Sequence, residues 1–174
     1  MINKGIILAG GLGTRLSPIT KSVSKQLLPV YDKPLIFYPL SVLMLCNIKN
    51  ILIIVKKGEK KNFQAALGDS TDLGINLEFK EQIKPTGIPE AFIIGEKFIN
   101  RNSVALILGD NFFYGQGLTE ILKKNFTLKS GARIFTYPIN DPHNFGIVEK
   151  TNKGKKARIV EKPKNSKSNL AITG

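Results

Sequence analysis

The 174-residue sequence predicts an α/β protein, with a Rossmann-like fold in which helices cover both faces of a mostly parallel sheet. Two observations lead to this prediction. Short apolar runs alternate along the chain with stretches of helical periodicity. Several of these runs are apolar at successive positions, which is typical of strands that are buried on both faces.

The first predicted strand spans residues 4–9 (KGIILA), an apolar run that ends at a pair of glycines. The first predicted helix spans residues 34–46. Asp32 is its expected cap, and Pro34 lies in its first turn, where a missing backbone N–H is tolerated. Pro39 has to be accommodated near the start of the same helix, because a proline further inside would bend it.

The middle of the chain repeats the strand–helix order. Residues 50–55 (NILIIV) and 103–108 (SVALIL) are continuous apolar runs that predict buried strands. Residues 75–82 (INLEFKEQ) alternate in polarity, which also predicts a strand. The segments 59–67 and 89–99 have helical spacing. Strands joined through helices pair in parallel by right-handed crossovers, so their carboxyl ends are expected at one edge.

The last third of the chain is predicted to contain one helix and then strands. The helix spans residues 118–126, and a strand is expected at 132–139. Residues 146–151 and 157–161 are predicted to pair with each other across a turn at 152–154, because the turn sequence Asn-Lys-Gly separates two alternating segments.

Length and composition limit the class of protein. One domain over residues 1–174 is expected from the length. The apolar run at residues 6–9 is too short for a signal peptide or a membrane span, so no membrane association is expected. The single cysteine, Cys46, cannot form an intrachain disulfide, which favours a cytoplasmic location. Its thiol is expected to be buried.

The charge balance favours an anionic partner. The chain carries 26 basic and 13 acidic residues, for a net charge of +13. Many of the lysines fall between residues 149 and 167, where most are interpreted as a solvated loop. No zinc-finger spacing, aromatic RNA-binding signature or basic heptad region accompanies them, so nucleic acid is not the expected partner.

A glycine-rich loop follows the first predicted strand. It contains Gly10, Gly11 and Gly13, and the cations Arg15 and Lys25 come after it. Neither the P-loop spacing nor the complete dinucleotide fingerprint is present. Without Cβ atoms, such a loop lets backbone N–H groups approach phosphate oxygens, which the two cations can neutralise. A tight strand-to-helix turn is the alternative, and the nearby cations favour phosphate binding.

Asp110 follows the predicted strand at residues 103–108. Ligands of open parallel sheets bind at the carboxyl ends of the strands, so Asp110 is expected near the glycine loop. Magnesium is often held by one or two carboxylates together with substrate phosphates. The sequence therefore predicts Mg²⁺ as a cofactor at Asp110, and an aspartate that caps a turn is the alternative.

Several motifs together resemble the sugar nucleotidylyltransferases, and within them the glucose-1-phosphate thymidylyltransferase branch. The most extended is LAGGLGTRL at residues 8–16, followed by KQLLP at 25–29. The other motifs, spread over the rest of the chain, are YDKP at 31–34, LGDN at 108–111, GIVE at 146–149, EKP at 161–163 and ITG at 172–174. The resemblance covers essentially the whole chain and implies the nucleotide-diphospho-sugar transferase fold.

The resemblance also implies a reaction, in which dTTP and glucose 1-phosphate give dTDP-glucose and pyrophosphate. It assigns Arg15 to the leaving pyrophosphate, Lys25 to the transferring phosphoryl group and Lys162 to the sugar phosphate. Asp110 is assigned to the magnesium ion. In such a reaction catalysis consists mainly of positioning and charge neutralisation.

Binding residues follow from the same resemblance. Gln82 matches a glutamine that reads the base, and Gly87 matches a glycine that lets the backbone approach the base. The residues expected to bind the nucleotide are Leu8, Gly10, Gly11, Gly13, Thr14, Arg15, Gln26, Gln82, Gly87 and Asp110. The residues expected to bind the sugar are Asn111, Phe145, Gly146, Glu161, Lys162 and Ile172.

The sequence departs from the family pattern in three places. Residues 88–90 read Ile-Pro-Glu where the family usually has Leu-Ala-Gln, and Pro89 removes a backbone donor. Phe145 replaces a usual tyrosine and its hydroxyl. The chain stops at Gly174, before the family's next core strand, so the domain is expected to be C-terminally incomplete. The remainder would supply a second metal carboxylate and much of the interface of a homo-oligomer.

Two alternatives remain open from the sequence. A sugar-1-phosphate nucleotidylyltransferase that uses UTP or CTP is one, because discrimination by a methyl-sized group is weak and easily changed. A nucleotide-binding fragment without turnover is the other, since the C-terminal part of the family's domain is absent from these 174 residues.

Overall fold

The computed structural model describes residues 2–128, 130–150 and 157–173. The chain divides into two compact units, Met1–Ser130 and Gly131–Gly174. The single catalytic domain expected over residues 1–174 stays a prediction. No helix in the described ranges is long and apolar enough to cross a membrane.

The first unit is built on a parallel sheet of four strands in the order β5-β4-β1-β6. Its register places Ile6 beside Leu52 on one side and beside Leu106 on the other. Together with a short antiparallel pair, β2 and β3, the strands of this unit are β1 (Lys4–Ala9), β2 (Pro29–Val30), β3 (Lys33–Pro34), β4 (Asn50–Lys56), β5 (Asn76–Gln82) and β6 (Val104–Leu108). The predicted parallel sheet is confirmed.

The helices of the first unit are α1 (Phe37–Leu45), α2 (Lys60–Leu67), α3 (Glu90–Ile94), α4 (Glu96–Ile99) and α5 (Leu118–Asn125). A Cβ added at Gly5 would lie 2.7 Å from Cδ1 of Leu43 in α1. The next residue, Ile6, packs in a cluster with Ala91 of α3 and Phe98 of α4. Because successive residues of a strand point to opposite faces, α1 covers one face of β1, and α3 and α4 cover the other.

The centre of the sheet forms the core. Residues 51–55 of β4 are completely buried at five successive positions, as expected for a strand with helices on both faces. Cys46 at the end of α1 is also buried, and burial raises the pKa of its thiol to about 11. The prediction of a buried thiol is confirmed for Cys46.

The predicted helix at residues 34–46 starts later than expected. Its first residue is Phe37, and Asp32 does not cap it, because the Asp32 carboxylate accepts a hydrogen bond from Lys33 at 2.7 Å instead. Pro34 lies in β3, paired with Pro29 of β2. The residue before a proline avoids helical backbone angles, which favours an extended start. Pro39 falls in the first turn of α1, where it is tolerated.

The predicted helix at residues 89–99 is two short helices, α3 and α4, which meet at Gly95. Gly95 is buried, and a Cβ at this position would lie 2.8 Å from the carbonyl oxygen of Ala91 and 3.0 Å from Cδ1 of Ile6. The glycine therefore lets the helical segment approach the sheet closely, at a point where the regular helix ends.

The second unit contains a separate antiparallel sheet in the order β7-β10-β8-β9. Its strands are β7 (Thr136–Pro138), β8 (Gly146–Lys150), β9 (Ala157–Glu161) and β10 (Leu170–Ile172). The predicted pairing of β8 with β9 is confirmed, and the turn predicted at 152–154 lies outside the described residues. The strand predicted at 132–139 is shorter than expected, and β10 is an element that the sequence did not predict.

Candidate nucleotide-binding site

The carboxyl ends of β1 and β6 bring two loops side by side. The backbone N–H of Gly109 donates to the carbonyl of Leu8 at 2.9 Å, which continues the ladder past the end of β6. A Cβ at Gly109 would lie 2.9 Å from Cβ of Ala9, so only glycine permits this approach. Asp110 is thus held next to the glycine loop, as the parallel arrangement predicted.

The glycine loop has two residues with distinct steric requirements. Gly13 has a φ of 63°, in the left-handed region that favours glycine, and its carbonyl accepts a hydrogen bond from the Thr20 hydroxyl at 2.9 Å. Gly10 is buried against the side chain of Gln82, and a Cβ there would lie 2.1 Å from Gln82 Oε1. At Gly11, by contrast, a Cβ would meet nothing within 4 Å.

These loops surround a cleft of about 240 Å³. Its lining includes Gly11, Gly13, Lys25, Gln82, Gly87 and Asp110. Leu8 and Gln26, two more of the predicted nucleotide-binding residues, also line it. The mixture of open backbone, one cation and one carboxylate in this lining suits a phosphate ester with a metal ion.

The charged pair at the rim of the cleft is Lys25 and Asp110, whose side chains form a salt bridge. Each of the two side chains is about one-third exposed, at 29% for Lys25 and 33% for Asp110. An ion pair with this much solvent contact contributes little to stability, about 0–1 kcal/mol, so its partners can be exchanged for ligand atoms at small cost.

Arg15 and Thr14 lie outside the lining of the cleft. Both are exposed, in a 3₁₀ helix at Thr14–Leu16 that follows directly on Gly13. Among the described residues, the salt-bridge partner of Asp110 is Lys25, and no ion pair joins Asp110 to Arg15. The guanidinium is attached to the same loop as the glycines, and an exposed arginine side chain is long enough to change its direction.

Gln82 is the last residue of β5 and is only 3% exposed. Its side-chain Nε2 donates to Oε2 of Glu90 at 2.5 Å. The same carboxylate oxygen accepts from the hydroxyl and the backbone N–H of Thr86. These donors, first the Thr86 hydroxyl and then the Gln82 amide, hold the pKa of Glu90 below its ordinary value.

Two further predicted residues adjoin this arrangement. Gly87 has a φ of 114°, a conformation that side chains rarely adopt, and it lines the cleft close to Gln82. Gln26 is 3% exposed; its Oε1 accepts from the hydroxyl of Ser24 at 3.1 Å, and its backbone carbonyl accepts from the N–H of Ile36. Gln26 therefore has a structural role in addition to its place in the lining.

In the second unit, the structure brings five of the predicted sugar-binding residues together. Gly146 of β8 pairs with Glu161 of β9, and a Cβ at Gly146 would lie 3.1 Å from Glu161 Oε2 and 3.6 Å from Cδ1 of Ile172. The backbone N–H of Lys162 donates to the carbonyl of Phe145 at 3.0 Å. The Lys162 ammonium lies 3.6 Å from Glu161 Oε1. The sixth residue, Asn111, belongs to the first unit, next to Asp110 in the chain.

The sequence did not predict Glu90, which contacts the lining residue Gln82, or the lining residues Pro85, Ile88 and Leu108. The sequence does mark the position of Glu90 as unusual, because residues 88–90 depart from the family pattern. The sequence alone assigns no partner to the carboxylate, however, since the contact depends on how α3 begins relative to the end of β5.

The oxygen ligands available in the cleft fit a magnesium ion that takes most of its ligands from water and from substrate phosphates. Asp110 supplies one carboxylate at the rim, and the described residues contain no group of three or more His, Cys, Asp or Glu side chains that could hold a metal ion alone. Magnesium usually keeps several waters and completes its shell with substrate phosphates, so a single carboxylate is compatible with it.

Comparison with known proteins points to one family. The chain matches the nucleotidyl transferase family over residues 4–174. It is 54% identical over 171 residues to the glucose-1-phosphate thymidylyltransferase of Neisseria gonorrhoeae, an alignment that covers 98% of this chain and 59% of that protein. It is 48% identical to the enzyme of the same name from Mycobacterium tuberculosis, with the same coverage of 98% and 59%. The chain thus spans about three-fifths of the length of these relatives.

Two solved structures have a fold similar to that of this chain. A crystal structure assigned to a glucose-1-phosphate thymidylyltransferase of Bacillus anthracis, in complex with sucrose, superposes with a TM-score of 0.89 at 37% identity. This match covers 98% of the chain and 69% of the solved chain. A UDP-glucose pyrophosphorylase complexed with UDP-glucose superposes with a TM-score of 0.81 at 24% identity, covering 100% and 75% of the two chains, and shows the fold alone.

Proposed function

Because the chain belongs to the nucleotidyl transferase family, we propose that it carries the nucleotide-binding part of an enzyme that makes dTDP-glucose and pyrophosphate from dTTP and glucose 1-phosphate. The observation that carries the proposal is the composition of one cleft. A glycine loop and Lys25 suit phosphates, and Gln82 and Gly87 at the same cleft suit a nucleobase.

The proposed reaction is an in-line displacement at the α-phosphorus of dTTP. An oxygen of the sugar phosphate forms the new P–O bond, and the bond to the pyrophosphate breaks. The backbone N–H groups at Gly11 and Gly13 are suited to the triphosphate, and Arg15 is suited to the charge that develops on the pyrophosphate. Lys25 first exchanges its salt bridge with Asp110 for contacts with phosphate oxygens. It then neutralises charge on the phosphoryl group that is being transferred.

We propose Asp110 as the residue that holds a magnesium ion in this reaction. The ion, when bound, supplies positive charge to the phosphate oxygens. The carboxylate leaves its salt bridge with Lys25 to do so, and both side chains then face phosphate and metal charge instead of each other. This exchange requires little free energy because the pair is partly exposed.

The remaining assignments concern base and sugar. Gln82 and Gly87 are proposed to read the pyrimidine, since an amide can both accept and donate and a glycine backbone allows close approach. Glu161, Lys162 and the neighbouring Gly146 are proposed to bind the sugar phosphate, with the carboxylate accepting from sugar hydroxyls. This second cluster is supported by its proximity within the sheet of the second unit.

We also propose a cytoplasmic location and a homo-oligomeric state for the full-length form. The single cysteine, which is a buried thiol, is consistent with a reducing compartment. The partners expected for the protein are dTTP and glucose 1-phosphate, with neither nucleic acid nor membrane among them.

The proposal is tested by pyrophosphate release with glucose 1-phosphate and, in turn, dTTP, dUTP, UTP, CTP and dATP. The assay uses this chain and a version extended with the C-terminal part of the Neisseria gonorrhoeae relative. We expect pyrophosphate release with dTTP and strong rejection of dATP. The preference for dTTP over dUTP should be weaker than the preference for dTTP over dATP. Asp72→Asn, a change at an exposed aspartate outside the cleft, is the control for Asp110→Asn.

Two outcomes would contradict the proposed function. Release that is as fast with dATP as with dTTP would contradict the assignment of Gln82 and Gly87 to a pyrimidine. Release that is unchanged in Asp110→Asn would remove Asp110 from the reaction.

A further inference from the structure

Glu90 makes the most concentrated set of side-chain hydrogen bonds at the cleft, and the proposed reaction leaves it without a role. Its Oε2 atom accepts from Gln82 Nε2 at 2.5 Å, from the Thr86 hydroxyl at 2.5 Å and from the Thr86 N–H at 3.2 Å. The carboxylate is therefore anchored at the turn that precedes α3, with the Gln82 amide as one of its donors.

The chemistry of these two groups allows only one orientation of the Gln82 amide. An ionised carboxylate accepts hydrogen bonds and cannot donate them, so it attracts the NH₂ end of the amide and repels the oxygen. The lowered pKa of Glu90, caused first by the Thr86 hydroxyl and then by Gln82, keeps the group ionised at neutral pH. The NH₂ end of Gln82 is thus fixed on Glu90, and Oε1 has to point the other way.

Oε1 of Gln82 lies on the side of the glycine loop. A Cβ at Gly10 would come within 2.1 Å of this oxygen, and Gln82 is part of the lining of the cleft. Within the described ranges, the one side-chain hydrogen bond of Gln82 uses Nε2, which leaves Oε1 as an acceptor for a ligand.

Pyrimidines differ in what they offer to such an acceptor. Thymine and uracil carry a hydrogen on N3, whereas N3 of cytosine has no hydrogen and is itself an acceptor. An acceptor that cannot rotate accepts from the N3–H of thymine or uracil and repels N3 of cytosine, and a misplaced polar group in a buried site is costly.

We propose that Glu90 is a positioning residue that sets base choice, by holding Gln82 with its oxygen toward the cleft so that bases with an N3–H are selected over cytosine. The inference rests on the proposed assignment of Gln82 to the base. It adds a residue that does not touch the nucleotide, and it gives a physical basis for the preference of thymine and uracil over cytosine.

The test compares binding of dTTP, dUTP and dCTP to the wild-type chain and to Glu90→Ala by titration calorimetry. Removal of the acceptor lets the amide rotate, so dCTP binding should tighten while dTTP binding weakens. We expect the preference for dTTP over dCTP to fall about tenfold. Glu90→Gln should restore the preference to within about threefold of wild type, since the oxygen of its amide can accept the same three hydrogen bonds.

The matched control is Glu96→Ala, which removes an exposed glutamate at the start of α4. It should leave the preference unchanged, and thermal unfolding of each variant is measured beside the titrations. If Glu90→Ala kept the wild-type preference, or if Glu90→Gln lost it as fully as Glu90→Ala, the positioning role would be wrong.

A measurement on the wild-type chain covers the case in which Glu90→Ala does not fold. Nuclear Overhauser contacts between the Gln82 side-chain NH₂ and Thr86 are followed during addition of dTTP. They should persist, because Nε2 and Thr86 stay on the same oxygen of Glu90 while Oε1 accepts from the base; loss of these contacts would overturn the inference. Absence of dTTP binding to the wild-type chain would instead count against the proposed function.

Discussion

Gly10 shows how strongly one residue can constrain the site. Its neighbour is the amide end of the Gln82 side chain, with Oε1 at 2.1 Å and Cδ at 3.2 Å from the position that a Cβ would take. A side chain at residue 10 would therefore displace the amide rather than break the backbone, which separates binding from stability at this position.

We predict that Gly10→Ala binds dTTP about tenfold more weakly, because Gln82 loses its place in the cleft. The free energy of unfolding should fall by only about 1 kcal/mol, since the amide end can move away. Calorimetric titration and urea denaturation measure the two effects. Gly115→Ala, where a Cβ would meet nothing within 4 Å, is the control and should match wild type in both. Wild-type affinity in Gly10→Ala would show that the position of Gln82 is not needed.

Arg15 is exposed on the 3₁₀ helix that follows the glycine loop, so its removal has no expected effect on the core. We predict that Arg15→Ala reduces the rate of pyrophosphate release by about a hundredfold or more, as expected for a group that stabilises charge in the transition state. The measurement uses the extended version of the chain. Arg101→Ala, at another exposed arginine, should keep the wild-type rate. Near-normal turnover of Arg15→Ala would rule out a role in neutralising pyrophosphate.

At the scale of elements, the packing of α3 and α4 on the sheet depends on Gly95. The glycine lies where the two helices meet, against Ala91 of the preceding turn and Ile6 of β1. Ile6, Leu52 and Ile54 present their side chains to these helices, so the helices must lie close to the sheet to keep the cluster packed.

We predict that Gly95→Ala lowers the free energy of unfolding by about 1–3 kcal/mol, the range for overpacking of a core. The added Cβ would lie 2.8 Å from a backbone oxygen, which cannot rotate away as a side chain can. Urea denaturation against the Gly115→Ala control measures the loss. Wild-type stability in Gly95→Ala would mean that α3 and α4 can move away from the sheet at no cost.

At the scale of the whole molecule, charge and length bear on function. The net charge of +13 suits the proposed substrates, which are all phosphate esters, because a basic protein attracts anions over long range. The chain corresponds to about 59% of the length of its Neisseria gonorrhoeae relative. Among the described residues, the lining of the cleft includes one carboxylate, that of Asp110.

We predict that the 174-residue chain forms dTDP-glucose about a hundredfold more slowly than a version extended with the C-terminal part of that relative. The reason is that a metal ion held by Asp110 alone is positioned less exactly than one held by two carboxylates, and small errors in position are costly in rate. Magnesium-dependent product formation by the two purified proteins measures the difference. Equal rates would show that a second carboxylate is dispensable.

The sequence by itself determined most strands and helices of the first unit, and several of the residues that line its cleft. Strand β1, the buried run of β4 and the pairing of β8 with β9 follow from patterns that repeat within a few residues. The glycines after β1 and the aspartate after β6 were expected at one edge, because parallel strands share the direction of their carboxyl ends. Such signals are local, so the chain alone displays them.

The tertiary structure decided the contacts between groups that are far apart in the chain or separated by a turn. The salt bridge of Lys25 with Asp110 joins residues 85 positions apart, and no local pattern specifies it. The start of α1 at Phe37, the break at Gly95 and the short strand β10 depend on neighbours supplied by other elements. The hydrogen bond between Gln82 and Glu90 belongs to the same class, because it forms only when the end of β5 and the start of α3 meet at the cleft, and hydrogen-bond geometry is set by atomic positions rather than by residue types.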